Sequence, residues 1–395
     1  MPATLKRRLG LGLLTAYGVG VMVGAGIYVL VGAVVGQAGL WAPLAFLLAG
    51  LVALPSALVY AELATRMPEA AGEVAFIERG FASTALGLVA GLAIVLAGTI
   101  SGAAVLRGGA GYLGALVPVP EPWLIVALGL VLVTVAAVGV LESMVFAAVL
   151  TVIEVGGLLA VCAVGLAAGP AADWTAPAAP DWPGVAAAIS LCFFAFIGFD
   201  NIENMAEEVR DPTRTLPRAI LLALAVTAVL YGLVSLAAVR AVPHAALAAS
   251  ERPLALLWET ATGRSAAFLS AIAVFAAVNG VLAQIVMAAR VLFGLGRRAG
   301  WLGAFHHVHP RFGTPVLATL LVGTALIGAA LALPVAALAE ATAVVLLAVF
   351  VLVNIAAIRI KRRAPAAPFR VPGFVPWAGL VAAALALVAA GGAFG

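Results

Sequence analysis

Residues 18–36 read GVGVMVGAGIYVLVGAVVG, an apolar stretch with three small residues, Gly24, Ala25 and Gly26, near its middle. A helix of about 20 residues crosses a hydrocarbon core of about 30 Å. Small residues at the centre of such a span admit two interpretations. Gly20 and Gly24 can let a neighbouring helix pack closely, or the glycines can mark a broken helix. Backbone that leaves helical geometry at this depth is tolerated only where it lines a cavity.

A second stretch has a similar interruption. Residues 193–220 read FFAFIGFDNIENMAEEVRDPTRTLPRAI, with Ile197 and Gly198 deep in an apolar span and Asp200 and Glu203 directly after them. The two stretches fall in the first and sixth predicted spans, which run in opposite directions because they are an odd number apart. Paired interruptions of this kind indicate inverted repeats with a binding site near the middle of the bilayer.

The composition places the whole chain in lipid. Of the 395 residues, 65% are hydrophobic and 10% are charged, whereas about 25% are charged in a soluble domain. Apolar segments recur along the sequence, separated by charges and Pro/Gly clusters, and predict eleven transmembrane helices. The predicted spans are 11–36, 40–65, 84–115, 122–141, 144–168, 184–206, 217–240, 264–290, 315–333, 336–358 and 374–394.

The basic residues predict the orientation of these spans. Seventeen of the 21 lysines and arginines fall in one alternating set of connections, which includes residues 6–8, and three fall in the other; Arg107 lies within a span. Connections rich in lysine and arginine stay in the cytoplasm. We therefore expect a multi-pass protein of the cell membrane with a cytoplasmic N-terminus and an external C-terminus.

Four motifs carry a family resemblance. Two of them are the stretches quoted above. The other two are YAELATRMPEAAGEVAFIERG at 60–80 and MAARVLFGLGRRAGWLGAFHHVHPRFGTP at 287–315. In order and spacing they resemble the amino acid–polyamine–organocation transporters, particularly bacterial amino acid permeases related to cationic amino acid transporters. The resemblance implies an all-α membrane fold with a five-plus-five inverted repeat and helices 1 and 6 broken. It places the first repeat at 1–168, the second at 169–360 and an additional transmembrane helix at 361–395.

The resemblance also implies a substrate site made of backbone groups. In similar permeases the substrate carboxylate binds N–H groups at the break in helix 1, and the substrate ammonium binds carbonyls at the break in helix 6. This polarity agrees with the positive N-terminus and negative C-terminus of a helix. The residues implied are Met22, Ala25 and Gly26 for the carboxylate, Phe194, Ala195 and Ile197 for the ammonium, Gly24 and Gly198 for the breaks, and Phe199 as an aromatic gate.

Glu154 is the acid predicted deepest in the first repeat, about 15 Å into span five by helix rise. Many proton-coupled relatives carry a lysine at the matching place. A buried carboxyl group there can carry a proton, ligate a cation such as sodium, or serve as a neutral structural acid. Asp200 is expected to cap the inner half of helix 6, and Glu203 to face the inner pathway.

These features predict a secondary active amino acid transporter that works by alternating access, as a proton symporter or an exchanger. A carrier of the same fold for a polyamine or another organic or inorganic cation is the alternative. The expected partners are a small-molecule amino acid, the lipid bilayer and a proton or sodium co-substrate. The sequence contains no H-E-x-x-H, G-x-S-x-G or phosphate-loop motif, so we expect no enzyme activity, cofactor, resident metal or nucleic-acid partner.

Overall fold

The computed structural model describes residues 9–67, 72–139, 144–175, 179–364 and 366–392. These ranges hold helices and no strand, apart from an isolated β-bridge between Leu9 and Val209. The helices are α1 (Leu11–Ala38), α2 (Ala42–Arg66), α3 (Gly72–Phe81), α4 (Thr84–Gly114), α5 (Glu121–Val138), α6 (Met144–Ala167), α7 (Ala172–Thr175), α8 (Trp182–Phe196), α9 (Pro212–Ala241), α10 (His244–Ala248), α11 (Pro253–Thr262), α12 (Ala267–Arg298), α13 (Val316–Ala332), α14 (Val335–Arg363) and α15 (Val375–Gly392). Short 3₁₀ segments occupy Gly39–Trp41, Asp200–Glu208 and Gly300–Phe305.

The described chain contains eight segments that are long and apolar enough to cross a membrane, with α1 from Gly26 onward and α2 counted together as Gly26–Arg66. Three shorter apolar helices accompany them, at Leu11–Gly24, Val316–Ala332 and Val375–Ala390. The prediction of an all-α membrane protein is therefore confirmed. The number of crossings and the five-plus-five repeat stay predictions.

Each predicted span overlaps one of these helices, and the differences lie at the ends. The helix α12 continues to Arg298, beyond the predicted end at residue 290. Its last turn carries Arg297 and Arg298, whose charges favour the negative end of the helix dipole. The predicted span ends at 140–141 and 393–394, and the basic residues at 6–8, lie outside the described residues.

Large apolar side chains cover much of the outer surface of the bundle. Among them, Val152, Leu385 and Val388 are each more than 60% exposed. Water-soluble proteins rarely expose large contiguous apolar surfaces, whereas lipid tails are as apolar as these side chains. The exposed surface therefore fits a protein whose solvent is the bilayer.

The helices α1 and α8 occupy the middle of the bundle. The helix α1 packs against α8, α9, α6 and α12, and α8 packs against α1, α2 and α14. Aromatic side chains fill the space beside the C-terminal end of α8. Tyr60, Phe193, Phe199 and Phe350 are buried and meet through ring centroids 5.2–5.7 Å apart. This packing fixes the segment that follows α8.

A buried ion-pair network ties α2 to α14. The Glu62 carboxylate accepts from the Arg66 guanidinium at 2.6 Å, from Lys361 Nζ at 2.6 Å and from the Val371 backbone N–H at 2.9 Å. Charged hydrogen bonds of this kind compensate for burying a carboxylate at a helix end. The network joins the C-terminal ends of both helices at one side of the bundle.

Candidate functional site

The first interruption lies at one residue of α1. Gly24 has φ 17° and ψ −157°, outside helical geometry, and the helix continues on either side of it. Met22 and Gly26, which flank it, are both buried. Amide groups in the first turn of a helical segment have no carbonyl partner within that segment. The break therefore interrupts α1 at the centre of the bundle.

The second interruption follows α8, which ends at Phe196. Ile197 is extended, at φ −62° and ψ 130°, and Gly198 has φ 132°. The chain then continues as the 3₁₀ segment Asp200–Glu208, where the sequence predicted an α-helical span to residue 206. The Asp200 carboxylate accepts from the Gly198 N–H at 2.8 Å. Asp200 thus binds back across the break, and the inner half-helix that it was expected to cap is a 3₁₀ segment.

The two interruptions lie against each other. A Cβ atom built on Gly198 would lie 3.1 Å from the Met22 nitrogen and 2.9 Å from Val21 Cγ1. A Cβ built on Gly26 would lie 3.8 Å from Ala195 Cα, an ordinary contact. The positive φ and the close approach at residue 198 both require glycine. Backbone from α1 and from the end of α8 therefore meets directly at this point.

Tyr231 of α9 connects the two breaks, and the sequence analysis missed it. Its hydroxyl lies 2.6 Å from the Met22 carbonyl and 3.0 Å from the Ala195 carbonyl, with one proton to donate between them. Each carbonyl lies two residues before one that leaves helical geometry, Gly24 in α1 and Ile197 after α8. The signal was present, because a tyrosine in the middle of an apolar span needs a partner for its hydroxyl.

The residues implied for the site divide into two groups. Met22, Gly24 and Gly26, with the backbone of Ala25, lie at the break in α1, and Phe194, Ala195, Ile197 and Gly198 lie at the break after α8. These residues are brought together at the centre of the bundle. Phe199 lies beside them, with its ring 5.7 Å from Tyr60 and 5.4 Å from Phe350.

Glu154 lies on α6 next to the first break. Its side chain is 1% exposed, and neither carboxylate oxygen has a hydrogen-bond partner. Its backbone carbonyl accepts from the Tyr28 hydroxyl at 3.1 Å. The carboxylate is close enough to interact electrostatically with the hydroxyls of Tyr28 and Tyr231. A buried acid without partners therefore adjoins the tyrosine that joins the two breaks.

A small cavity lies beside the second break, between α4, α12 and α14. Its polar lining comes from Ser101, Asp200, Asn201 and Gln284, and the Gln284 Oε1 atom has no hydrogen-bond partner. The sequence analysis did not single out Ser101 or Gln284, since a single polar residue in an apolar span is no motif. In the described part of the chain, no group of three or more His, Cys, Asp or Glu side chains is placed to hold a metal ion.

Comparison with known proteins places this geometry in a family. The model of the amino acid permease family matches residues 9–394. The chain belongs to the amino acid permease family. The resemblance to amino acid–polyamine–organocation transporters is thereby confirmed, and the family members are transporters rather than enzymes.

Three relatives show the range of this permease's similarity. It is 30% identical to the branched-chain amino acid permease BcaP of Bacillus subtilis, over 94% of this chain and 84% of the relative. It is 29% identical to the methylthioribose transporter of the same organism, over 87% and 79% of the two chains. It is 30% identical to the vacuolar cationic amino acid transporter 4 of Arabidopsis thaliana, over 70% of this chain and 50% of the relative. Amino acid transport is the function that these comparisons support.

Proposed function

We propose that this permease is a secondary active amino acid transporter that works by alternating access. The observation that carries the proposal is the direct meeting of two interrupted helices at the centre of the bundle, in a chain of the amino acid permease family. Irregular backbone within a membrane is tolerated where it lines a cavity or is buried in protein. Paired interruptions of this kind are typical of transporter binding sites.

The α-amino acid is recognised mainly by the backbone. The substrate carboxylate binds N–H groups at Met22, Ala25 and Gly26, on the two sides of the break at Gly24. The substrate ammonium binds carbonyls at the end of α8, a negative helix end; these are the carbonyls of Phe194, Ala195 and Ile197. Although the Ala195 carbonyl already accepts from Tyr231, a carbonyl oxygen has two lone pairs and retains one for the ammonium.

Helix contacts support a five-plus-five inverted repeat. When α1, α2, α4, α5 and α6 are exchanged for α8, α9, α12, α13 and α14, several of the helix contacts recur. The pair α1–α9 recurs as α8–α2, α1–α6 as α8–α14, and α4–α14 as α12–α6. In such folds one part of the bundle moves against the other around a fixed site. We propose the same division here, with α15 as an additional helix.

Glu154 is proposed as the proton carrier of symport. It is buried beside the first break, and its carboxylate has no partner. An acid in such a place is neutral when protonated and costly when ionised, so a change in its access to water changes its charge. Exchange without a proton, or a sodium ion ligated by Glu154, is the alternative form of coupling. We place the N-terminus in the cytoplasm and the C-terminus outside the cell.

Uptake by proteoliposomes tests this function. The purified permease is reconstituted, and uptake of a panel of radiolabelled amino acids is measured under imposed proton and sodium gradients. We expect one or a few α-amino acids to accumulate, driven by an inwardly directed proton gradient. Uptake of no α-amino acid under any gradient would contradict the proposal. Accumulation that requires sodium would replace proton coupling with sodium coupling.

A carrier for another solute is the second candidate. The buried acids Glu154, Asp200 and Glu203 favour a cationic substrate such as a polyamine, and a relative is named as a methylthioribose transporter. Polyamines and methylthioribose lack the α-carboxylate. Competition between a transported amino acid and these solutes separates the candidates, because only a carrier of the second kind is inhibited by them.

A further inference from the structure

Two glutamates from different segments meet on the α3 side of the second break. Glu73 belongs to α3, Glu203 belongs to the 3₁₀ segment Asp200–Glu208, and both are buried. Their carboxyl groups lie within hydrogen-bonding reach of each other. Gly72 is also packed tightly there, because a Cβ at Gly72 would lie 2.8 Å from Glu203 Oε1. The interface between the two segments is therefore closed around a pair of acids.

The Glu203 carboxylate lacks donors. Glu203 is 1% exposed, and neither of its carboxylate oxygens has a hydrogen-bond partner. The backbone N–H of Glu73 is nearby but outside hydrogen-bonding geometry. The Tyr60 hydroxyl, also fully buried and without a partner, is within electrostatic range of both glutamates. Buried polar atoms are almost always hydrogen-bonded, so these groups indicate a missing ligand.

Other charged groups border the pair. Asp200 lies on the same segment as Glu203 and interacts electrostatically with both glutamates. Tyr17 of α1 lies within electrostatic range of both Asp200 and Arg290 of α12. Arg66 and Lys361, in contrast, both bind Glu62. The immediate surroundings of the glutamates on α2, α3 and the 3₁₀ segment are thus acidic or phenolic.

We propose that Glu73 and Glu203 form a proton-binding site that holds the inner side of the permease closed. The proposal rests on the transport function proposed above. Two carboxylates in one dry site cannot both be ionised without strong repulsion. A proton on one of them supplies the missing donor and forms an O–H···O bond to the other. When α3 separates from the 3₁₀ segment, water enters and takes the proton, and the two charges oppose closure.

The surrounding structure connects this site to the inner pathway. The 3₁₀ segment ends at Glu208, and the next residues, Val209 and Arg210, pair with Leu9 through the β-bridge and a 2.9 Å hydrogen bond. Separation of α3 from this segment would therefore also disturb the β-bridge, which holds the chain before α1. A proton fits the site better than a metal ion, because no group of three or more potential ligand side chains is assembled in the described residues.

The pH range follows from the burial of Glu73. Desolvation raises the pKa of Glu73 to about 7. A raised carboxyl pKa stabilises the closed state at low pH, and this stability is lost as the pH rises through about 7. Acidification of the cytoplasmic side should therefore hold the permease closed on that side.

Glu203→Gln tests the site, because glutamine keeps the size of the side chain and cannot ionise. Exchange of internal for external substrate is measured in proteoliposomes as a function of pH on the cytoplasmic side. Wild-type exchange should accelerate roughly tenfold as that pH rises from about 6 to about 8. Glu203→Gln and Glu73→Gln should each abolish this dependence. Glu340→Gln, at a partly exposed acid of α14, is the control and should retain it.

A second measurement needs no substrate. Infrared difference spectra of the purified full chain between about pH 6 and about pH 8 should show a carbonyl band of a protonated carboxylic acid, in addition to any band from Glu154, that is absent from Glu203→Gln and Glu73→Gln. Loss of the band in both variants supports the site even if no amino acid is transported, so failure of the two proposals is distinguishable. Retention of the band and of the wild-type pH dependence in both variants would overturn it. If one variant does not fold, the other carries the same prediction.

Discussion

The two interrupted helices lie side by side and are built differently. In α1 a single residue, Gly24, leaves helical geometry, and residues 20–28 carry no charge. After α8 the chain leaves the helix for three residues, 197–199, and continues as a 3₁₀ segment that begins with Asp200 and contains Glu203. We call the first the neutral break, because residues 20–28 carry no charge, and the second the acidic break, because Asp200 and Glu203 follow it. In the proposed site, this difference supplies a polarity that would match the two charges of an α-amino acid.

The largest effect is expected at the neutral break. Leucine at Gly26 would fill the space for the substrate carboxylate, and Gly26→Leu should weaken amino acid binding at least about 100-fold, equivalent to about 2.7 kcal/mol. Gly26→Ala is the matched control, because its Cβ would make only ordinary contacts with Ala195 and Phe194. Binding is measured by isothermal calorimetry in detergent. Wild-type affinity in a folded Gly26→Leu protein would remove the donor role from this break.

The next largest effect is expected on proton coupling at Glu154, which lies beside the same break. With a gradient of one pH unit, one coupled proton supports accumulation of about tenfold. Glu154→Gln mimics the protonated acid and should abolish this accumulation while retaining substrate binding. Uptake and binding are measured on the same reconstituted preparation. Undiminished proton-driven accumulation would rule out Glu154 as the carrier, and loss of folding would favour a structural role.

Tyr231 joins the two breaks, so its hydroxyl tests whether they act together. Tyr231→Phe should weaken substrate binding roughly fivefold, since it removes a net hydrogen-bond contribution of about 1 kcal/mol. Ser235→Ala is a suitable control, because Ser235 lies one turn away on α9 and bonds only within its own helix, to the carbonyls of Tyr231 and Gly232. Equal effects of the two substitutions on affinity would argue against a specific connection.

The smallest effect on affinity is expected at the acidic break. Asp200→Asn keeps an acceptor for the Gly198 N–H, so we expect substrate affinity to change by less than about twofold. Asp200→Ala leaves that buried N–H without a partner and should lower the free energy of unfolding by about 1–3 kcal/mol. The loss of stability in Asp200→Ala is measured by thermal unfolding in detergent. A large loss of affinity in Asp200→Asn would show that its charge contacts the substrate.

Much of the fold was predictable because hydrophobic runs fix the helices. Apolar runs bounded by charges placed a predicted span over every long helix, and Gly24 and Gly198 drew attention to the positions where the dihedral angles leave the helix. Contacts between segments that are distant in the sequence could not be predicted from hydrophobic runs. Tyr231 is one phenol in an apolar run, and the pairing of Glu73 with Glu203 joins residues 130 positions apart. The 3₁₀ form of residues 200–208 also depends on tertiary packing, which overrides local propensity.

In the proposed site, backbone at the two breaks binds both charged groups of an α-amino acid. This recognition is tested most directly by calorimetry with the best transported amino acid, its decarboxylated amine and its N-acetyl derivative. We expect only the intact amino acid to bind, because each analogue lacks one of the two groups that the breaks are proposed to recognise. Binding of the amine as tight as that of the amino acid would contradict the assignment of the α1 break to the carboxylate. Binding of the N-acetyl derivative at that affinity would contradict the assignment of the α8 carbonyls to the ammonium.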